Sequence, residues 1–240
     1  MSTKTPTATQ EAQIQELVRQ YRFLFAADQV VELRALGVRY GNGRPHTEAG
    51  FFGPEDVVQL ARTAQMKTPI AKGVYFTLNP LRPDILARRR GRLDWAGEGE
   101  LAKDKDVLCR RWLLVDADPV RDPQISATDT EKAHSYDTIL MVREHLWSQG
   151  WADPILADSG NGYHLLYRIN TPAEDNCLVP RLLESLARQF NSDEVVIDTT
   201  VGNASRICKL PGTWARKGDN LPERPHRQAS LLEIPDALGA

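Results

Sequence analysis

Two stretches decide the reading of this chain: Trp112-Leu113-Leu114-Val115-Asp116-Ala117-Asp118 and, about forty residues on, Pro154-Ile155-Leu156-Ala157-Asp158-Ser159-Gly160-Asn161-Gly162-Tyr163-His164. The first is an apolar run that ends in two carboxylates. Alternate residues of a strand share a face, so Asp116 and Asp118 lie on the same side. The second is an apolar run, then a glycine-rich turn leading into another strand, with a histidine at its far end. Converging carboxylates suit a hard divalent cation, and a glycine turn with a histidine suits a phosphate. Together they suggest metal-dependent chemistry on a nucleotide.

Around these stretches the second half of the chain has a clear order. A strand at 111–117 is followed by a helix from about Thr128 to Gln149, with Thr128 or Asp129 as N-cap and Gly150 past its end. Strands at 154–158 and 163–169 flank the turn. A helix from about Ala173 to Phe190 follows, broken or restarted at Pro180, and further strands lie near 195–198 and 205–210. Up to the first of these the order is βαββαβ, the ferredoxin-like arrangement also used by RNA-recognition modules. Its first strand is central, flanked by the third and fourth, so residues at their ends can meet across one face.

The first half is an α/β mixture. Ile14, Leu17, Val18, Tyr21, Leu24 and Phe25 form one helical stripe within 11–27. Strands are expected at 30–36, 50–53 and 73–78, with a helix opening at Pro54. Residues 82–106 are polar and charge-rich and read as a long excursion with one short helix. The division expected is a disordered tail at 1–10, an N-terminal αβ module at 11–106 and an RRM-like module at 107–240.

At 240 residues, the chain can bury a sizeable core as one large domain or two fused modules. Its 41% hydrophobic and 26% charged content is ordinary for a soluble protein. A net charge of −2 argues against a simple polyanion binder. The charge is uneven, however, with basic clusters at Arg88-Arg89-Arg90 and Arg92, at Arg110-Arg111 and from Arg216 to Arg227, and a local basic groove can hold nucleic acid. Cys109, Cys177 and Cys208 are too few and scattered for a disulfide framework or a thiolate zinc site, which fits a reduced, cytoplasmic setting. No stretch is apolar for long enough to span a membrane, and the first ten residues lack the apolar core of a signal peptide.

Each candidate residue has a plainer reading beside the chemical one. Asp-x-Asp after an apolar run is commonly a turn or helix cap. A third carboxylate, Asp198, ends the run Val195-Val196-Ile197 and lands on a neighbouring strand, which favours the metal reading. Ser159 to His164 alone would be a hairpin. Ser159 and Asn161 can nonetheless donate to a phosphate, as can His164, beside amides left accessible at Gly160 and Gly162. Arg206 and Lys209 could be a solvated strand face, but cations so close in sequence to Asp198 suit a bound polyphosphate, with Arg216 and Lys217, just after the Pro211-Gly212-Thr213 turn, adding to it. Tyr75 and Asn79 would face the cleft between the halves, or serve as core and turn. A Gly-x-Ser-x-Gly elbow and a Walker A loop are absent.

As a set, Asp116-x-Asp118, Ser159 through His164, Asp198, and Arg206 with Lys209 and Pro211-Gly212-Thr213 resemble the motifs of the archaeo-eukaryotic primase superfamily. Within it they are most similar to the primase–polymerase branch of plasmid, phage and mobile-element replication proteins. The resemblance spans roughly residues 30 to 235. It implies an αβ module packed on an RRM-like module with the active cleft between them. It further implies template-directed nucleotidyl transfer, with or without a primer.

By position, Asp116, Asp118 and Asp198 would ligate two divalent ions, Mg²⁺ or Mn²⁺. Ser159, Gly160, Asn161, Gly162 and His164, with Arg206, Lys209 and Lys217, would hold a nucleoside triphosphate. A single-stranded or primed DNA template would be a partner, contacted by Arg88, Arg89, Arg90 and Arg92 and by Tyr75 and Asn79, and a helicase of the same replication system could be another. Two departures stand out: Lys209 occupies a position where arginine is frequent, and the glycine turn is longer than the minimal Ser-x-His form. Two other classes compete, a non-catalytic RRM-like nucleic-acid-binding module and a metal-dependent nuclease. The first predicts exposed aromatics on the sheet face. The second leaves the basic cluster of Arg206, Lys209 and Lys217 without a purpose.

Overall fold

The computed structural model describes residues 8–236, which form an α+β fold built on two five-stranded sheets. Of the expected disordered lead-in, residues 1–7 lie outside the described residues, and helix α1 (Ala8–Leu24) already begins at residue 8. The apolar stripe of α1 is buried from Ile14 to Leu24, and its Tyr21 hydroxyl donates to the Pro211 carbonyl at 3.0 Å. A helix from the start of the chain is thereby tied to a segment near its end.

The first sheet contains β1 (Val31–Val38), β2 (His46–Phe52), β3 (Gly73–Thr77) and the two-residue β4 (Asp94–Trp95). Helix α2 (Val57–Lys67) covers it, preceded by a 3-10 turn that starts at Pro54. The excursion at 82–106 is more ordered than its composition suggests. It holds α3 (Leu86–Arg89), β4 and three 3-10 turns. Ile85, Ala102 and Val107 bury a second small core with Val30, Phe51 and Leu81, and this apolar contact is what orders a polar stretch.

The second sheet follows the expected order: β5 (Cys109–Pro119), α4 (Asp129–Ser148), β6 (Ile155–Asp158), β7 (Tyr163–Pro172), α5 (Leu178–Phe190) and β8 (Val195–Ile197). Strand β5 is central, antiparallel to β7 on one side and to β8 on the other. Thr128 caps α4 by accepting from the Glu131 amide at 3.1 Å, and Glu131 reciprocates on the Thr128 amide, an arrangement worth about 1 kcal/mol. Helix α5 begins five residues later than expected. Strand β7 runs on to Pro172, and Asp175 accepts from the amides of Cys177 and Val179 at the helix start. Pro180 therefore falls in the first turn, where it breaks nothing.

The chain then crosses over. Strand β9 (Ile207–Lys209) pairs with β3 of the first sheet, in the register Tyr75 with Lys209 and Phe76 with Cys208. A short ribbon of β10 (Trp214–Ala215) and β11 (Arg227–Gln228) follows, and β12 (Ser230–Glu233) extends the second sheet beside β6. One core joins the sheets. Trp112 donates its indole N–H to the Leu24 carbonyl at 3.0 Å, so the face of β5 that carries Trp112, Leu114, Asp116 and Asp118 looks toward α1 and the first sheet.

Candidate active site

At the end of that face, where β9 approaches β5 and β7, lies a cleft of about 240 Å³. Strand β5 supplies Asp116 and Asp118, and Asp198 stands just past β8. The opposite wall comes from the crossover segment, with Arg206, Cys208 and Lys209 on or beside β9 and Lys217 after β10. Residues almost a hundred positions apart meet here because the chain changes sheets after β8.

Asp116 and His164 are direct partners across β5 and β7. Their side chains stand 3.4 Å apart, Nε2 to Oδ1, an ion-pair distance without hydrogen-bond geometry, and Asp116 Oδ1 is otherwise a buried acceptor without a partner. The other ring nitrogen of His164 lies 3.5 Å from Cys208 Sγ on the far sheet. Burial disfavours the imidazolium, but the Asp116 carboxylate and the Cys208 sulfur outweigh it, and the His164 pKa is raised well above its ordinary value. His164 thus sits buried between a carboxylate and a sulfur atom, where the carboxylate favours its protonated form.

Asp118 is half-buried. Burial and the Asp116 carboxylate push its pKa up to about 6, against the pull of Lys217, Arg121 and His164. Two carboxylates on one strand face repel each other, and a cation between them would relieve both. The orphaned Asp116 oxygen and the strained ionisation of Asp118 therefore fit a divalent cation. Asp198 also lines the cleft, with its Oδ1 accepting from the Thr200 amide at 2.8 Å. Among the described residues no group of three His, Cys, Asp or Glu side chains stands ready to hold a metal.

Lys209 is the most unusual cation. It is 6% exposed, and its ammonium donates to Thr213 Oγ1 and to the Trp214 carbonyl, both at 2.9 Å, while lying 5.3 Å from the centre of the Tyr75 ring. No carboxylate pairs with it among the described residues, and burial pushes its pKa down to about 7. Burial likewise lowers Lys217, partly offset by Asp118 and Asp116. Arg206 donates to the carbonyl of Thr200 and, at 3.2 Å, to its hydroxyl. Tyr75 is held neutral, its pKa pushed up to about 12 by burial and by Asp118 and Asp116.

Comparison of the chain with protein-family models, with curated proteins and with solved structures finds no match.

The glycine turn is built differently from a phosphate cradle. Ser159 Oγ donates to the Gly162 carbonyl and accepts from its amide, both at 3.0 Å, the Ser159 amide donates to the same carbonyl, and the Gly160 amide donates to Asp158. Both glycine amides expected to face a ligand are used within the turn. Asn161 is buried and accepts from the Ala127 amide at 2.9 Å, which fixes the approach to α4. The glycines answer to packing: Gly160 has φ +95°, and a Cβ on Gly162 would run into the Ala117 carbonyl and stand 2.8 Å from Asp118 Oδ1. Ser159 and Asn161 still line the cleft.

Other expected residues fall elsewhere. Asn79 is buried, accepting from the amides of Arg111 and Trp112 and donating to the Ala204 carbonyl, so it joins three segments of backbone. Arg88 pairs with Asp106 and Arg89 with Glu100, both at 2.9 Å, and Arg90 pairs with Glu55 and Asp56. None of these three lines the cleft, nor does the exposed Arg92. The structure adds residues that sequence reasoning missed. Lys72 lines the cleft. Arg121 is a buried guanidinium 3.9 Å from Asp118, with Nε and one Nη unpartnered among the described residues. Lys132 binds both oxygens of Asp158 below the turn, at 2.7 and 2.6 Å. Only Arg121 had a local signal, three residues after Asp118.

Proposed function

We propose that this chain is a template-directed nucleotidyltransferase of the primase–polymerase kind, transferring the nucleotidyl group of a nucleoside triphosphate to a hydroxyl on a DNA template with release of pyrophosphate. The observation that carries the reading is the opposition, across one cleft, of the β5 carboxylates and the cations of the crossover segment. An arrangement of acidic and basic walls suits a metal-bound triphosphate, the acids facing the cation and the bases the phosphate oxygens. Asp116 and Asp118 would hold the cation, Mg²⁺ or Mn²⁺, which when bound would neutralise phosphate charge and activate the attacking hydroxyl. Arg206, Lys209 and Lys217 would grip the triphosphate. Lys209 gains most, since a phosphate would give its buried ammonium the counter-charge it lacks. His164 holds Asp116 in place and keeps a positive charge behind it, a positioning role instead of a direct phosphate grip.

The competing readings fare less well against the geometry. An RRM-like module stacks bases on its open sheet face, but here that face of β5 is covered by α1 and the first sheet. A nuclease needs the carboxylates and gives no role to a buried, carboxylate-free lysine. Incubation with a DNA template, Mn²⁺ or Mg²⁺ and labelled nucleotides tests all three. Template-dependent extension that disappears without template and in Asp116→Ala supports the proposal. Shortened DNA without incorporation would indicate a nuclease, and binding without turnover a recognition module.

The described residues contain no helix long and apolar enough to cross a membrane.

A further inference from the structure

A second cavity, of about 610 Å³, lies beside the cleft and shares a wall with it. In the segment after β10, Ala215 and Lys217 line the cleft, whereas Arg216 and Gly218 line the second cavity. This alternation is that of an extended chain with two faces. Lys72, just before β3, lines both spaces. Arg39, at the end of β1, completes a set of three cations from three separate segments, against one carboxylate, Asp219. Among the described residues none of the three cations is in an ion pair. Arg216 donates to the Pro69 carbonyl, which orients the guanidinium without neutralising it.

The contrast with other charged surfaces is informative. A larger cavity, about 810 Å³, carries Asp104, Glu174 and Asp175 against Lys105 and Arg110, and Arg110 is already paired with Asp175 at 3.3 Å. The arginine run at 88–90 is neutralised by its own carboxylates. Uncompensated positive charge in a concavity is found beside the cleft.

We propose that this second cavity holds the phosphodiester backbone of a single strand of nucleic acid and leads it over Lys72 into the cleft. A concave, cation-lined space suits one extended strand, which tracks such a groove by its phosphates, whereas a duplex is too wide to settle into it. Continuity with the cleft through Lys72 and the 215–218 wall selects a polymer over a free phosphate. The proposal takes its purpose from the nucleotidyl-transfer reading, but its test does not: strand binding is measured with neither nucleotide nor metal present. A chain that binds the strand here yet never incorporates nucleotide would sink that reading and leave this one standing.

The experiment is fluorescence anisotropy of a labelled oligothymidylate over a series of salt concentrations, for the wild type and for the double variant Arg39→Ala, Arg216→Ala. Neither residue lines the cleft. Removing two phosphate contacts should weaken strand binding at least about tenfold at low salt and make the log–log salt dependence shallower by about 1.4. Nucleoside triphosphate affinity should be unchanged, and a duplex of the same length should bind more weakly than the single strand. Should the double variant fail to fold by circular dichroism, the exposed Arg39→Glu alone replaces it, with the same direction expected. Unchanged strand affinity and salt slope in a folded variant would overturn the proposal. So would an equal loss for free nucleotide, or tighter binding of the duplex.

Discussion

Replacing Lys209 by methionine should stabilise the protein at neutral pH and destroy its function, and the size of the first effect can be worked out. Lys209 is buried against Thr213, the Trp214 carbonyl and the Tyr75 ring with no carboxylate partner. Burial takes its pKa from 10.5 to about 7. The unfolded chain therefore binds this proton more tightly than the folded one, so stability rises with pH between about 7 and 10.5 and the full cost is felt below about pH 7. At about 1.4 kcal/mol per pH unit the ceiling is about 5 kcal/mol, and loss of the two hydrogen bonds at 2.9 Å would return about 1 kcal/mol each. A net gain of about 3 kcal/mol is expected for the variant near pH 7, shrinking toward zero and then to a deficit as pH rises to about 10. Urea unfolding of both proteins across this range reads the difference directly, because other titrating groups cancel. The same lysine makes nucleotide binding proton-linked: near pH 8, where it is mostly neutral, a bound phosphate should recharge it, so that proton uptake accompanies nucleotide binding. Calorimetry in buffers of different ionisation enthalpy measures that uptake. Parallel stability curves, or proton uptake retained in the methionine variant, would refute the placement of an uncompensated charge at Lys209.

Four further outcomes follow from the same geometry. Asp116→Ala and Asp118→Ala should each lower nucleotide incorporation by more than about a hundredfold with the fold intact; near-normal primer extension in either would remove the carboxylates from the site. Because the Asp118 pKa is pushed up to about 6, a proton competes with the cation below that value. Mn²⁺ affinity, followed by electron paramagnetic resonance, should fall as pH drops below about 6 and level off above it, and a flat profile would count against Asp118 as a ligand. Gly162→Ala should destabilise by about 1–3 kcal/mol through collision with the end of β5, seen as a lowered Tm, while an unchanged Tm would mean that the turn has room. Lys132→Met should cost about 3–5 kcal/mol by stranding the Asp158 carboxylate, and a stability loss under about 1 kcal/mol would show that solvent reaches that pair.

What the sequence made legible is what local physics controls. The α4 boundaries could be read because Thr128 and Glu131 form a capping box within four residues. The central place of β5 could be read because the order βαββαβ leaves few ways to pair four strands. The cleft-lining positions of Asp116, Asp118, Arg206 and Lys209 could be named because each sits at the end of an apolar run or beside one. The roles inside the glycine turn could not, since they depend on what stands across from it: Gly162 is a glycine because of Ala117 and Asp118, Gly160 because of Ala215, and Asn161 faces the amide of Ala127.

The arginines at 88–90 show the same limit from the other side. Their carboxylates are contributed by residues 55, 56, 100 and 106, so a run that reads as free positive charge is already neutral in the fold. Most consequential is the passage of the chain from β8 into the first sheet at β9, because no local signal in 198–209 says which sheet the next strand will join. That one crossover carries Cys208 to His164 and the ammonium of Lys209 beneath Tyr75. It sets basic residues across a cleft from the carboxylates instead of leaving them beside Asp198 on the same edge. A cleft with acids on one sheet and bases on the other can open or close by a small shift between the sheets without moving either set within its own. The chemistry proposed here would therefore depend on the contacts that pin the sheets together, with Asn79, Trp112 and Tyr21 foremost among them.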